Sequence, residues 1–212
     1  MKKRAFTLTE VLITLTVIGV VATLTLPALN SNVNDAQIGP KLAKAATMLE
    51  HANRSILNDM DVSRLSDTGI FSTDLYSAEV AKYISLTNDS SYDNSLFEHT
   101  RVMLSNTGII YGLKTWGNYS CNYSSQAANM TPISDIYVDI NGNKGANKLA
   151  TDVFVFTVLD NGAVVPKGSS FLGSYASGEN WTNKCPIGLT PNDPEYCAAN
   201  IFENNLKVLY KK

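Results

Sequence analysis

The chain predicts an α+β fold, a long apolar helix at the N-terminus leading into a head built on an antiparallel sheet. Three observations carry this. Residues 6–29 are apolar apart from threonines and Glu10. Residues 42–60 place apolar side chains at helical spacing, and stretches with strand alternation and turn residues appear only later, between positions 101 and 168.

The first element begins at Phe6. As a helix its 24 residues to Leu29 reach roughly 36 Å, enough to span a bilayer with some tilt. Lys2, Lys3 and Arg4 precede it, so the positive-inside bias keeps the N-terminus in the cytoplasm and sends the remainder across. A cleaved secretory signal has the same basic start. Its apolar core is shorter, however, and the region after this run, TLPALNSN, offers no clean A-x-A site. Glu10 is the anomaly, because a carboxylate in an apolar helix costs several kcal/mol unless it is interfacial, neutralised or paired. Thr7, Thr9, Thr14, Thr16, Thr23 and Thr25 make the helix rich in hydroxyls, which can bond to carbonyls one turn back.

Residues 30–60 form a helical stem with a break expected near 39–40, where Gly39-Pro40 interrupts a polar stretch. From residue 41 the positions Leu42, Ala45, Ala46, Leu49, Asn53, Ile56, Leu57 and Met60 draw an apolar stripe with one polar member, suited to packing on a sheet. The head occupies residues 61–212. A second helix is predicted at 74–86, capped by Ser72, Thr73 or Asp74 and facing Leu75, Val80, Ala81 and Ile84 inward. RVMLSNTGIIYGLK reads as a hairpin turning at Asn106-Thr107-Gly108, and DVFVFTVLDNGAVVPKG as another bending at Asp160-Asn161-Gly162. ISDIYVDI supplies a strand between them, for a sheet of four or five strands. The tail after Gly168 is rich in Gly, Ser, Asn and Pro and reads as loop.

Charge and cysteines narrow the functions. A formal charge of −2 over 212 residues provides no basic field for holding phosphates, so nucleic acid is not an expected partner. Cys121, Cys185 and Cys197 lack the spacing of a zinc or redox motif. In an oxidising compartment Cys185 and Cys197 could close a short loop; three reduced thiols, or a bridge from Cys121 to either partner, are the alternatives.

The string KKRAFTLTEVLITLTVIG resembles the N-terminal signal of type IV pilins and type II secretion pseudopilins, which assemble into filaments in the bacterial envelope. The shared features are a short basic leader, a small residue, Phe, a Thr-Leu pair, Glu at the fifth position after the cut and a long apolar helix. The resemblance implies a leader of residues 1–5, cleavage by prepilin peptidase between Ala5 and Phe6, and methylation of the new terminus at Phe6. Ala5 stands where the family usually has Gly. It further implies a pilin-like head, a single pass through the inner membrane with a periplasmic or extracellular head, other pilin or pseudopilin subunits and an assembly platform as partners, and no enzymatic activity. Glu10 would pair with the Phe6 amine of a neighbouring subunit, and Gly19 and Pro27 would bound a helix stretch able to unwind during assembly. Its presence argues against the pseudopilus tip subunit, which in the family typically lacks that Glu.

Other chemistry is sparse. Asp139, Asn141 and Asn143 alternate as calcium-loop oxygens would, with Asp152 able to join them, and some pseudopilins bind calcium in a late loop. The EF-hand template fails, because Lys144 and Ala150 occupy the positions for its invariant Gly and bidentate Glu; the competing reading is a glycine-rich strand connection. No cofactor is expected otherwise. His51 and His99 accompany no G-x-S-x-G elbow, and Trp116, Trp181, Tyr119, Tyr123 and Tyr175 fall in loop-like stretches that could form a contact surface or simply pack. The reading from a different class is a Sec-exported periplasmic binding module or enzyme whose N-terminus is only an anchor.

Overall fold

The computed structural model describes residues 7–70, 73–88, 101–115, 132–142, 144, 146–170 and 181–211. Helix α1 spans Leu8–Asp59. The chain divides into two compact units, Met1–Gln37 and Ile38–Lys212, each described by itself.

In the second unit the apolar stripe of α1 is buried at Leu42, Ala45, Ala46, Leu49, Asn53, Ile56 and Leu57, with Met60 partly covered. The break expected near 39–40 is absent, since α1 continues through Gly39-Pro40. The reason is tertiary. Ile38 and Gly39 are buried, and a side chain at Gly39 would collide with the backbone of Leu206, so this glycine serves close approach and does not end the helix.

Beyond α1 a short 3-10 helix, Leu65–Thr68, is held by buried Asp160. Asp160 accepts from the Ser66 backbone N–H at 2.8 Å, the Ser66 hydroxyl at 3.0 Å and Arg64 Nε at 2.7 Å. Helix α2 spans Thr73–Tyr83 and buries Tyr76, Ser77 and Val80, with Ile84 buried just after it. Leu75, expected inward, is instead 54% exposed. Spacing four apart from Tyr76 through Val80 to Ile84 sets the buried face, and Leu75 lies off it.

The sheet is an antiparallel meander of six strands in chain order: β1 Leu86–Asn88, β2 Arg101–Ser105, β3 Ile110–Thr115, β4 Pro132–Asp139, β5 Val153–Leu159 and β6 Val164–Pro166. Both expected hairpins form, with Gly108 (φ 79°) and Gly162 (φ 85°) supplying the left-handed turn positions. Tyr111, Leu113, Ile136, Val138, Phe154 and Phe156 share one core with the α1 stripe. On the opposite face a smaller cluster joins Val102, Ile110 and Val153, and β5 is buried at every position.

Asn53, the polar member of the stripe, has a structural explanation. Its amide nitrogen donates to the Gly162 carbonyl at 3.1 Å and its oxygen accepts from the Tyr76 hydroxyl at 2.7 Å. One buried amide thus ties α1 to α2 and to the β5–β6 turn.

The tail is not the loop its composition suggests. It contains α3 Trp181–Lys184, a 3-10 turn Pro194–Tyr196 and α4 Cys197–Glu203, and Cys185 and Cys197 are joined by a disulfide. Ala198, Ala199 and Ile201 of α4 enter the core, and Phe202 meets Phe156 edge to face at 5.6 Å. Trp181, one of the aromatics considered for a contact surface, is buried and donates its indole N–H to Glu203.

Candidate functional site

Of the residues singled out near the N-terminus, Ala5 and Phe6 lie outside the described residues, whereas Glu10 is well placed. Its carboxylate accepts from the Thr7 backbone N–H and the Thr7 hydroxyl, both at 2.8 Å, while its own N–H donates to the Thr7 hydroxyl at 3.3 Å. This is a capping box: Thr7 precedes the first helical residue and Glu10 reaches back from the third position, satisfying two otherwise unpaired donors. The T-x-x-E pattern before an apolar run was present in the sequence and points to this cap, a role that the membrane argument for Glu10 overlooks.

The described side chains that follow are apolar and unburied. Leu8 is 80% exposed, and Val11, Leu12, Ile13, Leu15, Val17, Ile18, Val20 and Val21 all lie open. Three hydroxyls among them bond back to the helix backbone. Thr14 donates to the Val11 carbonyl at 2.9 Å, Thr16 to Leu12 at 2.8 Å, and Thr23 to Gly19 and Val20 at 3.0 and 2.8 Å. Such a surface presents methyl groups to whatever surrounds it, and an exposed apolar patch of this extent marks an interaction site. Gly19 sits in α1 with open space around it, and Pro27 lies within the same helix. Among the described residues no helix is long and apolar enough to cross a membrane.

In the head, the loop from Asp139 to Asp152 is held by its own amides. Asp139 accepts from the N–H groups of Asn141 and Gly142, each at 2.9 Å, and Asp152 accepts from the Lys148 N–H at 2.7 Å and the Asn141 side-chain amide at 3.1 Å. Asn143 lies outside the described residues, and among the described residues no three His, Cys, Asp or Glu side chains gather as a metal set.

A charged cluster not anticipated from the sequence lies where the disulfide loop meets the sheet. Lys167 contacts Asp135 at 3.4 Å and pairs closely with Glu195, which also accepts from the Tyr137 hydroxyl at 3.3 Å. Burial pushes the Asp135 carboxyl up, against the opposing pull of Lys167 and Thr157. Burial alone would lower the Lys167 ammonium, but Asp135 and Glu195 outweigh it and raise it, so the lysine stays charged. Lys167 and Lys184 lie 5.7 and 5.5 Å from the Tyr196 ring centre. Asp135 and Glu195 lie 32 and 28 residues from Lys167, so no local pattern announces the cluster.

Residues 1–26 match the prokaryotic N-terminal methylation motif, the prepilin-type signal of type IV pilins and pseudopilins. The motif marks a pilin-type, membrane-anchored N-terminus and implies processing by prepilin peptidase and assembly with other pilin-like subunits. No curated protein and no solved structure matches the chain.

Proposed function

We propose that this protein is a structural subunit of a type IV pilus-like or type II secretion pseudopilus filament, carrying no catalysis of its own. Prepilin peptidase cuts between Ala5 and Phe6 and the new N-terminus is methylated at Phe6. The single observation that carries the reading is the N-terminal methylation motif over residues 1–26, which coincides with an apolar helix left uncovered in the isolated chain. That segment resides in the inner membrane, with the head outside the cytoplasm, and transfers during assembly into contact with copies of itself. The Cys185–Cys197 disulfide accords with an oxidising compartment.

In this mechanism the capping box holds the Glu10 carboxylate at the helix start until a neighbouring Phe6 amine reaches it. Two unpaired ions in an apolar core cost far more than one pair, so pairing favours one axial register between subunits. Cleavage also removes Lys2, Lys3 and Arg4, shifting the formal charge from −2 to −5. Mass spectrometry of the protein from cells with active prepilin peptidase tests the reading. A chain beginning at methylated Phe6 is expected; an intact leader or a cut beyond Leu29 would refute it. Glu10→Ala should still be cleaved yet assemble poorly, as counted by sheared filaments.

A further inference from the structure

Residues 204–207 form a tight turn in which the Lys207 N–H donates to the Asn204 carbonyl at 3.2 Å. Asn205 and Leu206 have φ of 56° and 61°, the pair of positive values that a type I′ turn requires. Asn tolerates this conformation, but at the second central position such turns favour glycine, and leucine there is strained. The strain has a counterpart on α1. A Cβ built on Gly39 would stand 2.2 Å from the Leu206 carbonyl oxygen and 2.6 Å from the Leu206 Cβ, so the leucine occupies a notch that only glycine leaves open. Pro40, next along, lacks the N–H that an α-helix directs to the carbonyl four residues back. The helix thus lacks one backbone hydrogen bond beside the place where the turn presses on it.

The turn is anchored on both sides. The Asn204 side chain donates to the Asn200 carbonyl at 2.7 Å, and the buried Tyr210 hydroxyl donates to the Ala150 carbonyl at 2.8 Å. From this geometry we propose that residues 204–207 are a strap that keeps α1 helical across Gly39-Pro40, and that releasing the strap lets the helix fray there. The proposal stands apart from the filament reading.

Amide hydrogen exchange on the full chain in detergent micelles tests it, reading residues 41–44 of α1 with α2 as internal reference. Gly39→Ala separates local preference from the strap. Helix propensity alone predicts slower exchange, since alanine is the better helix former. The strap predicts exchange about tenfold faster, because the added methyl displaces Leu206, while α2 stays unchanged. Leu206→Pro attacks the turn from its own side, leaving α1 native in sequence; proline holds φ near −65° and cannot adopt the observed value. It should raise exchange at 41–44 as well. Slower or unchanged exchange there in either variant overturns the proposal, and so does an equal rise in α2, which would make the turn an anchor of the whole unit.

Discussion

Glu10 combines two demands on one carboxylate. Within the chain it caps α1 through Thr7, and in the proposed filament it neutralises a neighbour's amine. Glu10→Gln separates them, since the amide still offers Thr7 an acceptor but cannot offset a positive charge. We expect that variant to be processed normally and to yield few filaments by electron microscopy; wild-type filament numbers would remove charge pairing from the mechanism. Glu203 shows the same economy in the head, accepting from the Ser170 N–H at 2.6 Å, the Ser169 hydroxyl at 3.2 Å and the Trp181 indole at 2.8 Å. Burial opposes its ionisation, yet these hydrogen bonds win and hold the carboxyl below the ordinary glutamate range. A depressed folded-state value means the stabilisation is complete above the usual glutamate pKa and is lost as pH falls through the lowered one. The Trp181 indole proton resonance should therefore keep its folded position at mildly acidic pH and shift only below that range. A shift centred at or above the ordinary glutamate value would contradict this.

At the scale of elements, connections are secured by buried polar groups reaching across long sequence separations. Asp160, 1% exposed in its side chain, organises the segment after α1 from a turn 94 to 96 residues away. Asp160→Ala would strand the Ser66 N–H and free Arg64, and should cost about 2–3 kcal/mol in urea unfolding, less than a fully buried pair because Arg64 is partly exposed. A loss within error of zero would show that the 3-10 helix is held by other contacts. Element type was readable wherever one periodicity dominated: the stripe from Leu42 to Leu57 predicted its buried face, and both hairpins announced themselves through Asn-Thr-Gly and Asp-Asn-Gly. The misreadings share a cause. Gly39-Pro40 reads as a break, and the tail after Gly168 reads as loop, because in both places a distant segment supplies packing that local composition cannot reveal.

Across the whole molecule, the disulfide closes a loop within the C-terminal tail and the Lys167 cluster fastens that loop to the sheet. Both cysteines are fully buried, and closing a loop of this length contributes roughly 3 kcal/mol by the chain-entropy estimate. Cys197→Ser should lower the urea midpoint accordingly, and wild-type protein unfolded in reductant should match the variant; equal midpoints for oxidised and reduced protein would deny the bridge a stabilising role. From its residues alone this chain declared its pilin-type signal, the apolar N-terminal helix, the amphipathic stripe and the class of the fold, because each is written in contiguous sequence as a motif or a period. Only the tertiary structure decided that α1 stays helical through Gly39-Pro40, that Asn53 and Asp160 bind elements together, and that Lys167, Asp135 and Glu195 meet. Those outcomes depend on burial and on partners far apart in the chain, and a backbone notch or a desolvated charge takes its meaning from what folds against it.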